Sequence, residues 1–355
     1  GMFRIKSFSQ ILNTGRSSMK LMQLLPGTKD YRNPFVPNNP KTGTRDDGYV
    51  WKVVGADYAS QELCVLATFA NEPVMIEALE NGYDLHSINT ARLFPEKWAA
   101  LGGDPKPKGK PEDKTLQTLR NNTKSTIFGI AYGKSAIGLG ESLNIPGTTQ
   151  ELIEQYKTEF EEYLKENEGD YLAYIAGCAT TKDTKINRHE WIKGQHKAGK
   201  FLPDVVTGDD MISRVFDALP AMGAFLKESS DEGFQNKYIR TPDCFGRVRR
   251  FATPEFSSDE SAIKRAAENF KIQASSANMT KYAICLIKLH IEKYNLQDKL
   301  KFVLPLHDEI RYIVREDFAE EGLKIILDKM EEAGETILGN KLQKAEGEIT
   351  DVWEK

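Results

Sequence analysis

Two short apolar runs, separated by most of the chain, each carry an acid where a strand should end, and this pairing constrains the fold more than any other feature. Trp51-Lys-Val-Val-Gly-Ala-Asp57 is β-rich and closes on Asp57. Lys301-Phe-Val-Leu-Pro-Leu-His-Asp-Glu-Ile-Arg-Tyr-Ile-Val-Arg315 reads as two strands with an acidic break between them, a hairpin with Asp308 at its tip. Strands can hold two carboxylates rigidly at one sheet edge. Two-metal phosphoryl transfer needs such a pair, with ions ~3.5–4 Å apart. Mg²⁺ suits the pair, since it takes few protein carboxylates beside water and substrate phosphates. Either aspartate taken singly also fits a turn or a helix cap.

The intervening chain reads as mostly helical. Helical patterns run over 62–94, 115–143, 150–164 and 263–294, with a Gly/Pro/Lys-rich loop at 102–114. The first residues, to about Asp47, read as loops. Residues 161–213 are polar and lack strong periodicity. Within them Lys182, Lys185, Arg188, Lys193, Lys197 and Lys200 face only Asp183 and Glu190, as a solvated insertion or as a contact to DNA backbone or a partner. Strand, helical stretch, long helix, hairpin and closing helices make an α+β plan.

On the helix of 115–143, Arg120, Lys124, Phe128 and Tyr132 recur every fourth residue and form one stripe. At ~1.5 Å rise per residue the stripe spans ~18 Å, about the length of a nucleoside triphosphate. Cations suit the phosphates and aromatics the sugar and base. An amphipathic helix with an incidental polar end leaves the shared face unexplained. Arg265, Asn269 and Gln273 make a second such stripe, able to reach minor-groove acceptors that are alike in all base pairs, or equally a solvated helix face.

Composition adds mainly exclusions. Apolar content of 40% and charged content of 28% fit a globular chain rather than a disordered one. No apolar run is long enough to span a membrane, and no signal peptide opens the sequence. Cys64, Cys178, Cys244 and Cys285 lie far apart with no Cys-x-x-Cys pair, so structural zinc and a disulfide framework are not expected and a reducing compartment is. A net charge of −4 argues mildly against nucleic acid, but local patches decide phosphate binding.

These residues, in this order, resemble the family A DNA polymerases over nearly the whole chain. Asp57-Tyr-Ala-Ser-Gln-Glu62-Leu is similar to the first palm motif, Arg120-x-x-x-Lys124-x-x-x-Phe128-Gly-x-x-Tyr132-Gly133 to the fingers motif, and His307-Asp308-Glu309 to the last palm motif. Thr14-Gly-Arg16-x-Ser18 with Leu21-Met-Gln23-Leu-Leu-Pro26, Asp84-Leu-His86 and Gly246-Arg247-Val-Arg249 follow the family order. Details such as Arg240-Thr-Pro and His307-Asp-Glu-Ile-Arg-Tyr-Ile-Val-Arg-Glu316 look closest to the mitochondrial polymerase gamma branch, with phage replicative polymerases nearby. The departures are Ala59-Ser60 and Cys64, where the family has Ser-Gln and Arg, and the 161–213 insertion.

The resemblance implies a right-hand polymerase with an antiparallel-sheet palm, mostly helical fingers and no thumb. The palm would take residues 1–65 and 256–355, and the fingers 66–255. Asp57 and Asp308 would hold two Mg²⁺ ions with the Tyr58 backbone carbonyl, supported by Glu309 and His307. Arg120, Lys124, Phe128, Tyr132 and His86 would bind the dNTP. Glu62 would fill the space of a ribose 2′-hydroxyl, and Phe128 in place of tyrosine implies discrimination against dideoxynucleotides. Arg265, Asn269, Gln273, Arg16, Gln23 and Arg247 would contact primer-template DNA. Gly1 ahead of Met2 reads as a residue left by tag removal, and a chain starting there would lack thumb and exonuclease, which implies a separate subunit supplying them. The expected location is the cytoplasm of a bacterial or phage-infected cell, with the mitochondrion as the alternative. A catalytically inactive DNA-binding subunit, a single-subunit RNA polymerase and a two-metal nuclease are the rival readings. Glu62 disfavours the RNA polymerase, the intact Asp57, Asp308, Lys124 and Arg120 disfavour the inactive subunit, and an idle triphosphate stripe disfavours the nuclease.

Overall fold

A computed structural model describes Thr14, residues 36–177 and residues 184–353, the side chains of 184–187 and of 189 excepted. Arg16 and Gln23, expected at DNA, lie outside the described residues, as do Cys178, Lys182 and Asp183. In chain order the elements are β1 (Trp51–Tyr58), α1 (Gln61–Ala70), α2 (Pro73–Glu80), α3 (Leu85–Leu93), α4 (Pro95–Ala100), α5 (Lys114–Ala131) and α6 (Ala136–Leu143). They continue with α7 (Thr149–Gln155), α8 (Lys157–Glu166), α9 (Glu168–Gly177), α10 (Thr184–Lys197), α11 (Gly208–Ala218) and α12 (Pro220–Asn236). The last are β2 (Tyr238–Arg240), β3 (Val248–Arg250), α13 (Ser257–Lys293), β4 (Leu300–Leu306), β5 (Glu309–Arg315), α14 (Ala319–Leu338) and β6 (Ala345–Thr350). The chain forms two compact units, 1–81 with 225–355, and 82–224. Within the first unit α1 packs with α13 and α14, and β2 packs on α13.

The first unit is built on an antiparallel sheet of order β4-β5-β1-β6. Successive strand side chains alternate between faces. Val54, Ala56 and Tyr58 therefore share one face with Tyr312 and Ile310, their register partners or neighbours on β5. α14 packs on β1, β5 and β6, and the buried Tyr58 hydroxyl donates to the Met330 carbonyl in α14 at 2.9 Å. Burying side chains as large as Tyr312 and Ile310 on this face stabilises by about 1.5–3 kcal/mol each. The opposite face carries Trp51, Val53, Gly55 and Asp57 beside Arg315, Ile313, Arg311 and Glu309. Hydrophobic burial on one face thus fixes which residues appear on the other, since a one-residue slip would exchange them.

Two further helices anchor the sheet's acidic end. α1 begins right after Ser60, whose backbone is left-handed (φ 51°), so the chain turns sharply out of β1. The buried Gln61 amide of α1 donates to the Ser276 carbonyl and the Thr280 hydroxyl, both at 3.2 Å, tying α1 to α13. α13 is 37 residues long, about 55 Å at ~1.5 Å per residue. It buries Ile263, Ala267, Phe270 and Ala274 along one side.

The second unit is helical, and the stretch 161–213, polar and without strong period in sequence, carries helices that share a core. Helices α7 to α10 gather Leu152, Ile153, Phe160, Leu164, Tyr171, Trp191, Ile192 and Phe201 into one buried cluster. Trp191 packs on Tyr171 and Tyr163, with ring centroids 5.3 and 5.9 Å apart. These helices are short, so each contributes too few apolar residues for its period to stand out, and the core exists only between them. Buried His196 contacts the Phe201 carbonyl at 2.7 Å and the Asp210 carboxylate at 3.0 Å. Asp210 also closes the capping box of α11 with Thr207, so one imidazole joins the cluster to the next helix. Of the basic run, Arg188 lies over the Phe160 ring at 6.0 Å, while Lys193, Lys197 and Lys200 are exposed.

Candidate active site

β1 and β5 place the acids by register. Asp57 stands directly opposite Glu309, and Asp308 precedes Glu309 in the two-residue link between β4 and β5. His307, the other link residue, is exposed and left-handed (φ 56°), a conformation uncommon for a residue with a side chain and often retained at functional positions. Asp57 and Asp308 are half-buried and Glu309 is buried. Glu62, in the first turn of α1, feels Asp308: burial, then the Asp308 charge, pushes its carboxyl up to about 7. One end of the sheet therefore brings together Asp57, Asp308, Glu309 and Glu62. Burial holds the Tyr58 phenol well above its usual range, and its bond to Met330 fixes the backbone that carries the expected carbonyl ligand.

This donor set suits a hard divalent cation. All its atoms are oxygens, and Asp57 and Asp308 sit on backbone fixed by paired strands. Among the described residues no group of three or more His, Cys, Asp or Glu forms a self-sufficient metal cage. Mg²⁺ characteristically binds through one or two carboxylates and completes its shell with water and substrate phosphates.

In the second unit, α3 and α5 pack together and collect the other group of expected residues. Asp84 caps α3, accepting from the Ser87 amide at 2.9 Å, and also takes both Nε and Nη2 of Arg120, each at 2.6 Å. Burial opposes the Asp84 charge, but these hydrogen bonds outweigh it and hold the carboxyl at about 2. Arg120 is thus buried and preorganised, with part of its fork committed to Asp84. Burial, then the charges of Lys124 and Arg120, presses the His86 imidazole down to about 4. Its Nδ1 is buried without a hydrogen-bond partner. The His86 ring lies 5.9 Å from Phe128, Phe128 lies 5.7 Å from Tyr132, and the exposed Lys124 ammonium stands 5.8 Å from the Phe128 centroid. His86, Phe128, Tyr132 and Lys124 are therefore linked by ring and cation contacts, and the charge of the buried Arg120 reaches His86.

Arg265, Asn269 and Gln273 occupy one face of α13, Arg265 exposed and the other two half-buried, and the Asn269 Oδ1 atom is buried with no hydrogen-bond partner. Arg247 is differently placed. Its Nε and Nη2 donate to Asn278 Oδ1 at 3.0 and 2.7 Å, and Asn278 in turn donates to Asp243, which accepts from Ser275 at 2.6 Å. Half of the Arg247 fork therefore docks the β2–β3 hairpin on α13. Sequence reasoning missed this network, the Asp84–Arg120 pair and Arg311, a buried cation on the acidic face of the sheet. The signals were present: Asp84 stands three residues before Ser87 at a helix start, and Arg311 interrupts an apolar strand.

Comparison with known proteins agrees with this geometry. The model of the family described as DNA polymerase family A matches residues 9–185 and 204–355. DNA polymerase I of Rhizobium leguminosarum is 24% identical over 286 residues, 79% of this chain and 21% of that protein. DNA polymerase I of Geobacillus stearothermophilus is 25% identical over 306 residues, 85% of this chain and 25% of that protein. The thermostable DNA polymerase I of Thermus filiformis is 25% identical over 326 residues, 90% of this chain and 29% of that protein. The chain thus spans between about a fifth and a third of these relatives' length. In fold it is similar to the POL domain of Pol1 from M. smegmatis, solved with DNA primer-template and dNTP: TM-score 0.67, 21% identity, 98% of this chain and 47% of that one.

Proposed function

Because the chain belongs to the family A DNA polymerases, we propose that it extends a DNA primer on a template by adding deoxynucleotides. The observation that carries this reading is the strand register that sets Asp57 opposite Glu309 and beside Asp308, at the end of a sheet whose other face is locked by α14. In this reading Asp57, Asp308 and the Tyr58 carbonyl hold two Mg²⁺ ions, which when bound activate the primer hydroxyl and neutralise charge on the transferring phosphate.

The chain's own residues supply the rest. Arg120, fixed by Asp84, and the exposed Lys124 bind the phosphates, where charge-assisted hydrogen bonds are strongest. His86 is neutral at physiological pH, so it offers the phosphates a neutral imidazole N–H rather than a second charge. Phe128 and Tyr132 provide the aromatic surface for sugar and base. In this reading Glu62 takes the space a ribose 2′-hydroxyl would need, which favours DNA over RNA synthesis. Arg265, Asn269 and Gln273 follow the minor groove, with Arg247 contributing through the part of its fork not held by Asn278. The palm and fingers boundaries expected from the sequence, the affinity to the polymerase gamma branch and an intracellular location belong to this reading too. So does a partner that adds phosphate contacts, since such contacts carry most sequence-independent DNA affinity and the net charge of this chain is −4.

The test is primer extension with four dNTPs and Mg²⁺. Wild type is expected to extend the primer and Asp308→Ala, equally folded by circular dichroism, is not. Extension by Asp308→Ala within about tenfold of wild type would remove the basis of the assignment, each factor of ten being ~1.4 kcal/mol of barrier.

A further inference from the structure

Arg311 lies inside the sheet, buried, on the same face as the acids. Positions i and i+2 of a strand share a face, and the Arg311 guanidinium ion-pairs with the Glu309 carboxylate two residues before it. Its Nη1 also lies 3.9 Å from Glu348 on β6, and the Trp353 ring covers the guanidinium at 5.9 Å. Its register partner on β1 is Gly55, and a side chain there would collide with the guanidinium. A glycine in the middle of a strand weakens it and marks a close approach, here the passage of Arg311 across β1. Sequence, register and packing thus agree on one purpose: a long cation brought alongside Glu309.

The sheet's end otherwise concentrates carboxylates. Glu309 stands opposite Asp57 and next to Asp308, positions from which it is a candidate for a third carboxylate ligand. Yet among the described residues no three-acid metal group forms. A site that must bind, use and release ions together with a triphosphate works with few protein carboxylates, since ligand charge count raises intrinsic affinity.

We propose that Arg311 is a positioning residue that keeps the Glu309 carboxylate engaged within the sheet, so that Asp57 and Asp308 alone form the carboxylate pair for the divalent ions. This rests on the polymerase reading for its purpose, but its test does not require polymerisation. Without its guanidinium, the buried Glu309 carboxylate is left uncompensated beside Asp57 and Asp308, where a divalent cation relieves the charge. A buried carboxylate that has lost its cation seeks another.

Mn²⁺ binding to the full chain, without DNA or nucleotide, is measured by electron paramagnetic resonance. Arg311→Met is expected to bind Mn²⁺ roughly tenfold more tightly than wild type, as a third carboxylate joins the site. Arg311→Met/Glu309→Gln, which removes both buried charges, is expected to return to within about threefold of wild type. Unchanged or weaker Mn²⁺ binding by Arg311→Met, or tight binding that persists in the double variant, would overturn the proposal; a purely structural arginine would lower thermal stability without this pattern. Should Arg311→Met not fold, Arg311→Lys carries the comparison, since it keeps the charge but loses the fork, and is expected to tighten Mn²⁺ binding by about threefold, with no tightening counting against the proposal. Primer extension by wild type is scored separately: its absence would sink the polymerase reading and leave the Mn²⁺ pattern standing.

Discussion

In the sheet of the first unit the acids are placed by backbone register, whereas in the helical second unit cations and aromatics are placed by side chains stacked along one helix. Asp57 and Glu309 face each other because β1 and β5 pair antiparallel, and the apolar face against α14 forbids a slip. Lys124 and Phe128 instead share a face of α5 because positions four apart do so on any helix, and Tyr132 at its C-cap continues the line through ring and cation contacts. The first arrangement is stiff and suits atoms that must not move during chemistry. The second leaves Lys124 and Tyr132 exposed and adjustable, which suits a substrate that enters and leaves. Mutations should therefore separate into effects on rate in one unit and effects on binding or stability in the other.

The largest effect on stability should come from the helical unit's hidden core. Trp191→Ala removes a buried ring that contacts Tyr163 and Tyr171, and should cost about 3–5 kcal/mol in urea denaturation. A cost below about 1 kcal/mol would return the segment to the solvated insertion that its sequence suggested. Next, Lys124→Ala should raise the dNTP concentration for half-maximal extension by roughly tenfold or more, since hydrogen bonds to charged groups contribute about 1.5–3 kcal/mol. A fall in maximal rate at unchanged half-saturation would place Lys124 in the chemistry and blur the contrast between units.

The smallest effect is a pH dependence. The His86 imidazole has a folded pKa of about 4, below its ordinary 6.5, so the unfolded chain binds its proton more readily. Stability from keeping His86 neutral is complete above about 6.5 and declines as pH falls toward 4, by up to ~1.4 kcal/mol per pH unit. Asp84 acts in a separate, more acidic window: its contribution persists above its ordinary 3.8 and is lost only as pH falls through about 2. Denaturation at pH 5 and pH 7 should show a steeper loss for wild type than for His86→Phe. Equal slopes would show that His86 is solvated in the folded chain.

Much of this was legible in the sequence because local rules fixed it. The apolar runs before Asp57 and around Asp308 became β1, β4 and β5, and the fourfold spacing from Arg120 to Phe128 lies on α5, with Tyr132 at its C-cap. The α+β plan followed from their order. What stayed hidden depends on partners distant in sequence. The aromatic cluster of α7 to α10 is assembled from pieces too short to show a period. Arg120 read as a phosphate ligand, but its pairing with Asp84, 36 residues earlier, needed the packing of α3 on α5 to become visible. Arg311 carried no reading in the sequence, and its burial becomes visible only once β5 pairs with β1 across from Gly55.

The division of labour between sheet and helix is tested most directly by single-turnover nucleotide incorporation across a dNTP series, comparing wild type, Asp308→Asn and Lys124→Ala. The account predicts that Asp308→Asn lowers the maximal rate by roughly a hundredfold or more, because it weakens the metal's several kcal/mol of transition-state stabilisation. Lys124→Ala should keep most of that rate at saturating dNTP and lose affinity instead. An Asp308→Asn protein that retains the wild-type maximal rate within about tenfold would contradict the placement of the chemistry at the sheet's acidic end.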